Sequence, residues 1–148
     1  SAITGQLTSA LAETTYTTGV APWTVCIAEG GINDILADRT LAQMQTDKLA
    51  QIAAIEAAGM LPVLVGITAW DGNASWSAGR QTVTDGDNAW LKTLGYPMYD
   101  AYADSDDGTG TMKTSWGSAD GLHPGQGFYT GSAIMGRRLT DLLMLIGD

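Results

Sequence analysis

The sequence predicts an α/β domain built on a parallel sheet. Two runs of consecutive apolar residues, Trp23–Ala28 and Leu61–Thr68, read as strands covered on both faces. Between them, Thr40–Ala58 carries apolar residues at helical spacing, and the chain closes on a second such stripe. Strands alternating with helices favour a mixed, layered architecture over an all-α or all-β one.

The elements follow in order. Leu7–Thr17 reads as a weak helix, burdened by threonines. Trp23–Ala28 is rich in β-formers and is closed by Gly30-Gly31. In Thr40–Ala58 the residues Leu41, Met44, Leu49, Ile52 and Ile55 recur along one helical face, with Gly59 as the stop. Leu61–Thr68 follows as a strand that tolerates Pro62 at its start. This strand–helix–strand unit should cross over with a right hand. A short helix is expected over Asp87–Leu94, capped by Asp85 or Asp87, and a short third strand over Pro97–Ala101. Gln126–Ile146 reads as a long helix whose stripe is Ile134, Met135, Leu139, Leu142, Leu143 and Ile146. Ala69–Gly86 and Ala103–Gly121 read as irregular stretches after strand ends, where α/β sheets carry their sites.

Composition narrows the classes. The 148 residues form one domain, 1–148, without repeat or linker. Sixteen acidic against seven basic side chains give a net charge of −9, which repels phosphate backbones and argues against a nucleic-acid partner. No apolar run reaches the ~20 residues of a membrane span, and no signal-peptide pattern stands in the chain. Compartment stays open, with a lean toward secretion. A single cysteine, Cys26, excludes an intrachain disulfide and a multi-cysteine metal site. Asp104-Ser105-Asp106-Asp107-Gly108 lacks the terminal glutamate of a calcium loop and reads as a solvated acidic loop.

Two segments concentrate the chemistry. Gly30-Gly31-Ile32-Asn33-Asp34 follows the strongest strand, and Asp120-Gly121-Leu122-His123-Pro124 precedes the last helix. His123 is the sole histidine and stands three residues after a carboxylate. An aspartate there can accept the Nδ1 proton, fix the tautomer and leave Nε2 as a general base. By spacing alone this is a catalytic pair or a structural turn. Asn33, at the carboxyl end of a strand, can donate its amide to a developing oxyanion or cap a turn.

Taken together, Gly-Ile-Asn-Asp and the later Asp-Gly-Leu-His-Pro resemble the third and fifth blocks of the SGNH hydrolases, the GDSL esterase and lipase superfamily. The resemblance spans essentially the whole chain. It implies a flavodoxin-like three-layer αβα fold with a parallel sheet. It implies Asp120 and His123 as catalytic residues and Asn33 as an oxyanion-hole donor. Ile3-Thr4-Gly5-Gln6-Leu7-Thr8 is similar to the second block, which would make Gly5 the backbone donor. No metal or cofactor is needed for this chemistry.

The chain departs from the family at the nucleophile, because Gly-Asp-Ser occurs nowhere in it. The expectation is that the first strand, its helix and most of the second strand, on the order of 30 residues, come from a companion segment or subunit, and the serine with them. A rival placement joins Leu145-Ile146-Gly147-Asp148 to Ser1, making Ser1 the nucleophile and Leu142–Ile146 a strand. Ser9, Ser75, Ser77 and Ser118 read as cap or loop serines. The implied function is a serine esterase acting on short-chain or acetyl esters, including O-acetylated carbohydrate. The alternative is a catalytically incomplete relative that binds glycan or protein. Trp70, Trp76, Trp90 and Trp116, with Tyr96, Tyr99 and Tyr102, could face a sugar or acyl group or could roof the core.

Overall fold

A computed structural model describes residues 25–127 and 130–146. It contains a three-stranded parallel sheet, β1 (Val25–Ala28), β2 (Leu61–Val65) and β3 (Met98–Tyr99), in spatial order β1-β2-β3. Val25 pairs with Leu61 and Ala28 with Leu64, while Leu64 pairs with Met98 and Val65 with Tyr99. The helices are α1 (Ile32–Leu36), α2 (Leu41–Ala57), α3 (Ala78–Leu91), α4 (Ala101–Ser105) and α5 (Gly131–Ile146), with a 3₁₀ turn at Thr114–Trp116.

Alternation along β2 sends its side chains into two separate cores. Leu64 packs with Ala28, Ile52, Ile55, Met60 and Leu91 under α2 and α3. Val65 packs with Tyr99, Ala101, Met112, Trp116 and Met135 under α5. Successive residues of a strand point to opposite faces, so these two clusters define the outer layers of an αβα sandwich. A third cluster, Ile35, Met44, Ile67, Trp70 and Leu122, sits beyond the carboxyl ends of the strands. It joins α1, α2, the segment after β2 and the turn before α5.

Helix α2 begins where a capping box forms. The Thr40 hydroxyl accepts from the Gln43 N–H, and the Gln43 side chain accepts from the Thr40 N–H. The helix stops at Ala57, and Gly59 takes φ 75 just beyond it. Its expected apolar face is only partly the buried one. Leu49 is half exposed, whereas Lys48 and Gln51 are buried beside Met44, Ile52 and Ile55.

Several expected boundaries change. Strand β2 ends at Val65, three residues before Thr68, because the Asn88 side chain takes over both backbone groups of Ile67. Asn88 Oδ1 accepts from Ile67 N–H at 2.8 Å and its Nδ2 donates to the Ile67 carbonyl at 3.0 Å. Helix α3 begins at Ala78 behind the Ser77 cap, so Asp85 and Asp87 lie inside it and cap nothing. Its buried face is Thr84, Asp87, Asn88 and Leu91, a helical stripe that is mostly polar and therefore invisible to hydrophobic periodicity. Ala103–Gly121 is not wholly irregular, since α4 and the 3₁₀ turn interrupt it, and Asp106 and Met112 pair in an antiparallel bridge. Helix α5 starts at Gly131 and not at Gln126. It continues through Ile146, which contradicts a strand over Leu142–Ile146. The expected helix at 7–17, Gly5, Ser1, Ser9 and the first residues of the Trp23–Ala28 strand lie outside the described residues.

Among the described residues, strand β1 is less covered than its apolar run implied. Cys26 and Ala28 pack toward α2 and α3, which places Ile27 on the opposite face. Helix α5 lies against β3, and Ile27 stays 43% exposed.

Candidate active site

Three segments meet at the carboxyl ends of the strands. They are the turn after β1, the segment after β2 and the turn before α5. Glu29, Gly30, Ile32, Thr68, Leu122 and His123 are among the residues that line a cleft of about 70 Å³ there. This is where open parallel sheets place ligands.

The β1 turn is forced by its glycines. Gly31 takes φ 138, and a Cβ on it would lie 2.9 Å from Ile67 Cδ1. The chain therefore reverses tightly against the end of β2 and enters α1, with the Ile35 N–H donating to the Gly31 carbonyl at 3.0 Å. Asn33 sits in the first turn of α1 and is exposed. The far end of α1 is tied to α3 by Arg80, which donates to the Asp38 carboxylate and to the Leu36 carbonyl.

The turn before α5 brings Asp120 and His123 together. His123 Nδ1 lies 2.7 Å from Asp120 Oδ2. Asp120 Oδ1 accepts from the backbone N–H groups of Leu122 and His123, each at 2.9 Å, and from the Ser118 hydroxyl at 3.2 Å. The His123 ring, followed by the His123 and Leu122 N–H groups, holds the Asp120 carboxyl well below the usual carboxylate range. Both side chains are open to solvent, at 59% for His123 and 50% for Asp120. Among the described residues no hydrogen bond is made to His123 Nε2.

The sequence-predicted residues are thus placed unequally. Asp120 and His123 touch. Ile32, the neighbour of Asn33, shares the cleft with His123, while Asn33 itself is not among the lining residues. The aromatics divide toward the core: Trp70 and Trp116 are buried and present no face to a ligand. The acidic loop is occupied by its own backbone. Asp106 Oδ1 accepts from Gly108 and Gly110 N–H, and Asp107 Oδ1 from Thr109.

Polar residues without a motif hold the site. Asn88 sets the path of Ile67, and Asn73 Nδ2 donates to the Asp120 carbonyl at 2.7 Å. Behind Gly30-Gly31 lies a water-sized space of about 10 Å³ lined by Asp34, Lys48, Gln51 and Asp87, among others. Both Asp87 carboxylate oxygens are buried there without a hydrogen-bond partner among the described residues. Burial pushes the Asp87 carboxyl up and the Lys48 ammonium down, and their mutual attraction opposes both shifts.

No family model matches the sequence, and no curated protein matches it. A crystal structure of a Bacteroides fragilis protein, provisionally assigned as an acylhydrolase, is similar in fold. The TM-score is 0.64 at 18% identity, over 91% of this chain and 68% of that one. The likeness supports the flavodoxin-like αβα architecture with its parallel sheet.

Proposed function

We propose that this protein is a serine esterase of the SGNH type, hydrolysing short-chain or acetyl esters, a class that includes O-acetylated carbohydrate. The observation that carries the reading is the 2.7 Å contact between Asp120 Oδ2 and His123 Nδ1 at a cleft on the carboxyl ends of a parallel sheet. In this reading the serine comes from a companion segment outside this chain. Its Oγ attacks the ester carbonyl as His123 Nε2 takes its proton, and Asp120 steadies the imidazolium. The Asn33 amide, the Gly5 N–H and the serine N–H bind the oxyanion. His123 returns the proton to the departing alcohol. A water molecule, deprotonated by His123, then frees the acid and the serine.

A fluorophosphonate that labels activated serines tests this directly. Mass spectrometry of peptides from the labelled protein should show the adduct on a Gly-Asp-Ser segment that lies outside these 148 residues. In that assembly Asn33→Ala should lower kcat by ~10²–10³. An intact protein that takes up no phosphonate would instead be a binding module, because an Asp–His pair cannot form the acyl intermediate alone.

A further inference from the structure

We propose that Asn73 is a positioning residue for Asp120 and His123, a role that rests on reading this pair as the acid–base machinery of acyl transfer. Asn73 lies 47 residues before Asp120 and donates its Nδ2 to the Asp120 carbonyl at 2.7 Å. Its Oδ1 accepts from the Ser75 N–H at 2.8 Å, so the amide is held at both ends and its orientation is set.

The segment that presents Asn73 is itself anchored. Trp70 is fully buried and its indole N–H donates to Thr84 Oγ1 on α3 at 3.0 Å. The Asp71 N–H donates to the Gly110 carbonyl, and the Asn73 N–H to the Trp70 carbonyl. On the other side, Gly121 takes φ 67, and a Cβ there would lie 2.8 Å from the Gly72 carbonyl carbon. The two backbones are therefore in direct contact at the peptide whose carbonyl Asn73 holds.

That peptide determines where the next N–H groups point. The Leu122 and His123 N–H groups both donate to Asp120 Oδ1, which leaves Oδ2 for the imidazole. Rotation of the 120–121 peptide would swing these donors away and turn the carboxylate from His123. Asn73 opposes that rotation, and so connects the core around Trp70 to the orientation of the general base.

The test follows the Asp120 carboxyl by ¹³C NMR through an acid titration of the intact protein. Asn73→Ala removes the bridge. Asn73→Ser keeps an oxygen for the Ser75 N–H but is too short to reach the Asp120 carbonyl. Both variants should move the Asp120 titration upward by about one pH unit. In the active assembly both should lower acetyl-ester kcat by roughly ten- to a hundredfold with KM unchanged. A wild-type titration in either variant overturns the proposal, because Asn73→Ser isolates the bridge. So does an unchanged kcat where the wild type turns over ester. If the wild-type assembly hydrolyses no ester, the esterase reading fails, while the Asp120 titration still decides whether Asn73 orients the pair.

Discussion

One carboxylate at position 120 accepts from a ring, two peptide N–H groups and a hydroxyl within a single turn. Such bonds favour the ionised form, and the sign of the pH effect follows. A carboxyl depressed in the folded state contributes stability that is present above the ordinary aspartate value, ~3.9, and lost as pH falls through its folded value. The melting-temperature gap between the protein and Asp120→Ala should therefore be wide at neutral pH and narrow progressively as pH falls below ~3.9. A gap that does not narrow at all in acid would show that the turn does not depend on the ionised carboxylate. Asp120 also stays charged through the weakly acid range, so an acid limb of activity there would belong to another group. The three-residue spacing of Asp120 and His123 made their contact legible, because a local turn is enough to form it. Asn73 and Asn88 carried no such signal. Their partners are 47 and 21 residues away, and an asparagine looks alike whether it meets water or a distant carbonyl.

Helix α2 was readable from its Gly59 stop and most of its apolar stripe, whereas α3 was read only at its end, as Asp87–Leu94, because Thr84, Asp87 and Asn88 form its buried face. The two helices bring Lys48 and Asp87 into the same enclosed space behind Gly30-Gly31. Neither charge is hydrated as it would be in the unfolded chain, and each offsets part of the other's desolvation. Lys48→Met should therefore destabilise the protein by about 1–3 kcal/mol, since it leaves a buried carboxylate without its countercharge. Adding Asp87→Asn should recover most of that loss, because the double variant buries no charge at this place. Urea unfolding of the single and double variants measures the coupling. Equal stability of Lys48→Met and the double variant would show that the two charges act independently.

At the scale of the molecule, the sheet is unevenly covered among the described residues. The interior residues Pro62–Val65 of β2 are buried, while Ile27 on β1 is 43% exposed. Among the described residues β1 is an end strand, and its exposed apolar side chain suits the proposed docking of a companion strand and helix beside it. Ile27→Glu should then loosen the companion segment, read as faster amide hydrogen exchange across β1 in the intact protein. Unchanged exchange at β1 in that variant would remove it as the docking edge. The negative charge of the chain, −9 over 148 residues, acts at this scale too, opposing polyanionic partners whatever the shape of the cleft. The α/β class, the parallel sheet, α2 and the Asp120–His123 turn all follow from residues close in sequence, through periodicity, capping and spacing. Tertiary structure alone decided that Asn88 ends β2, that Trp70 and Trp116 belong to the core, and that Asn73 reaches Asp120. Each of these depends on a polar or aromatic side chain finding its partner across the fold, and the free energy of that meeting is set by burial and geometry that local pattern does not encode.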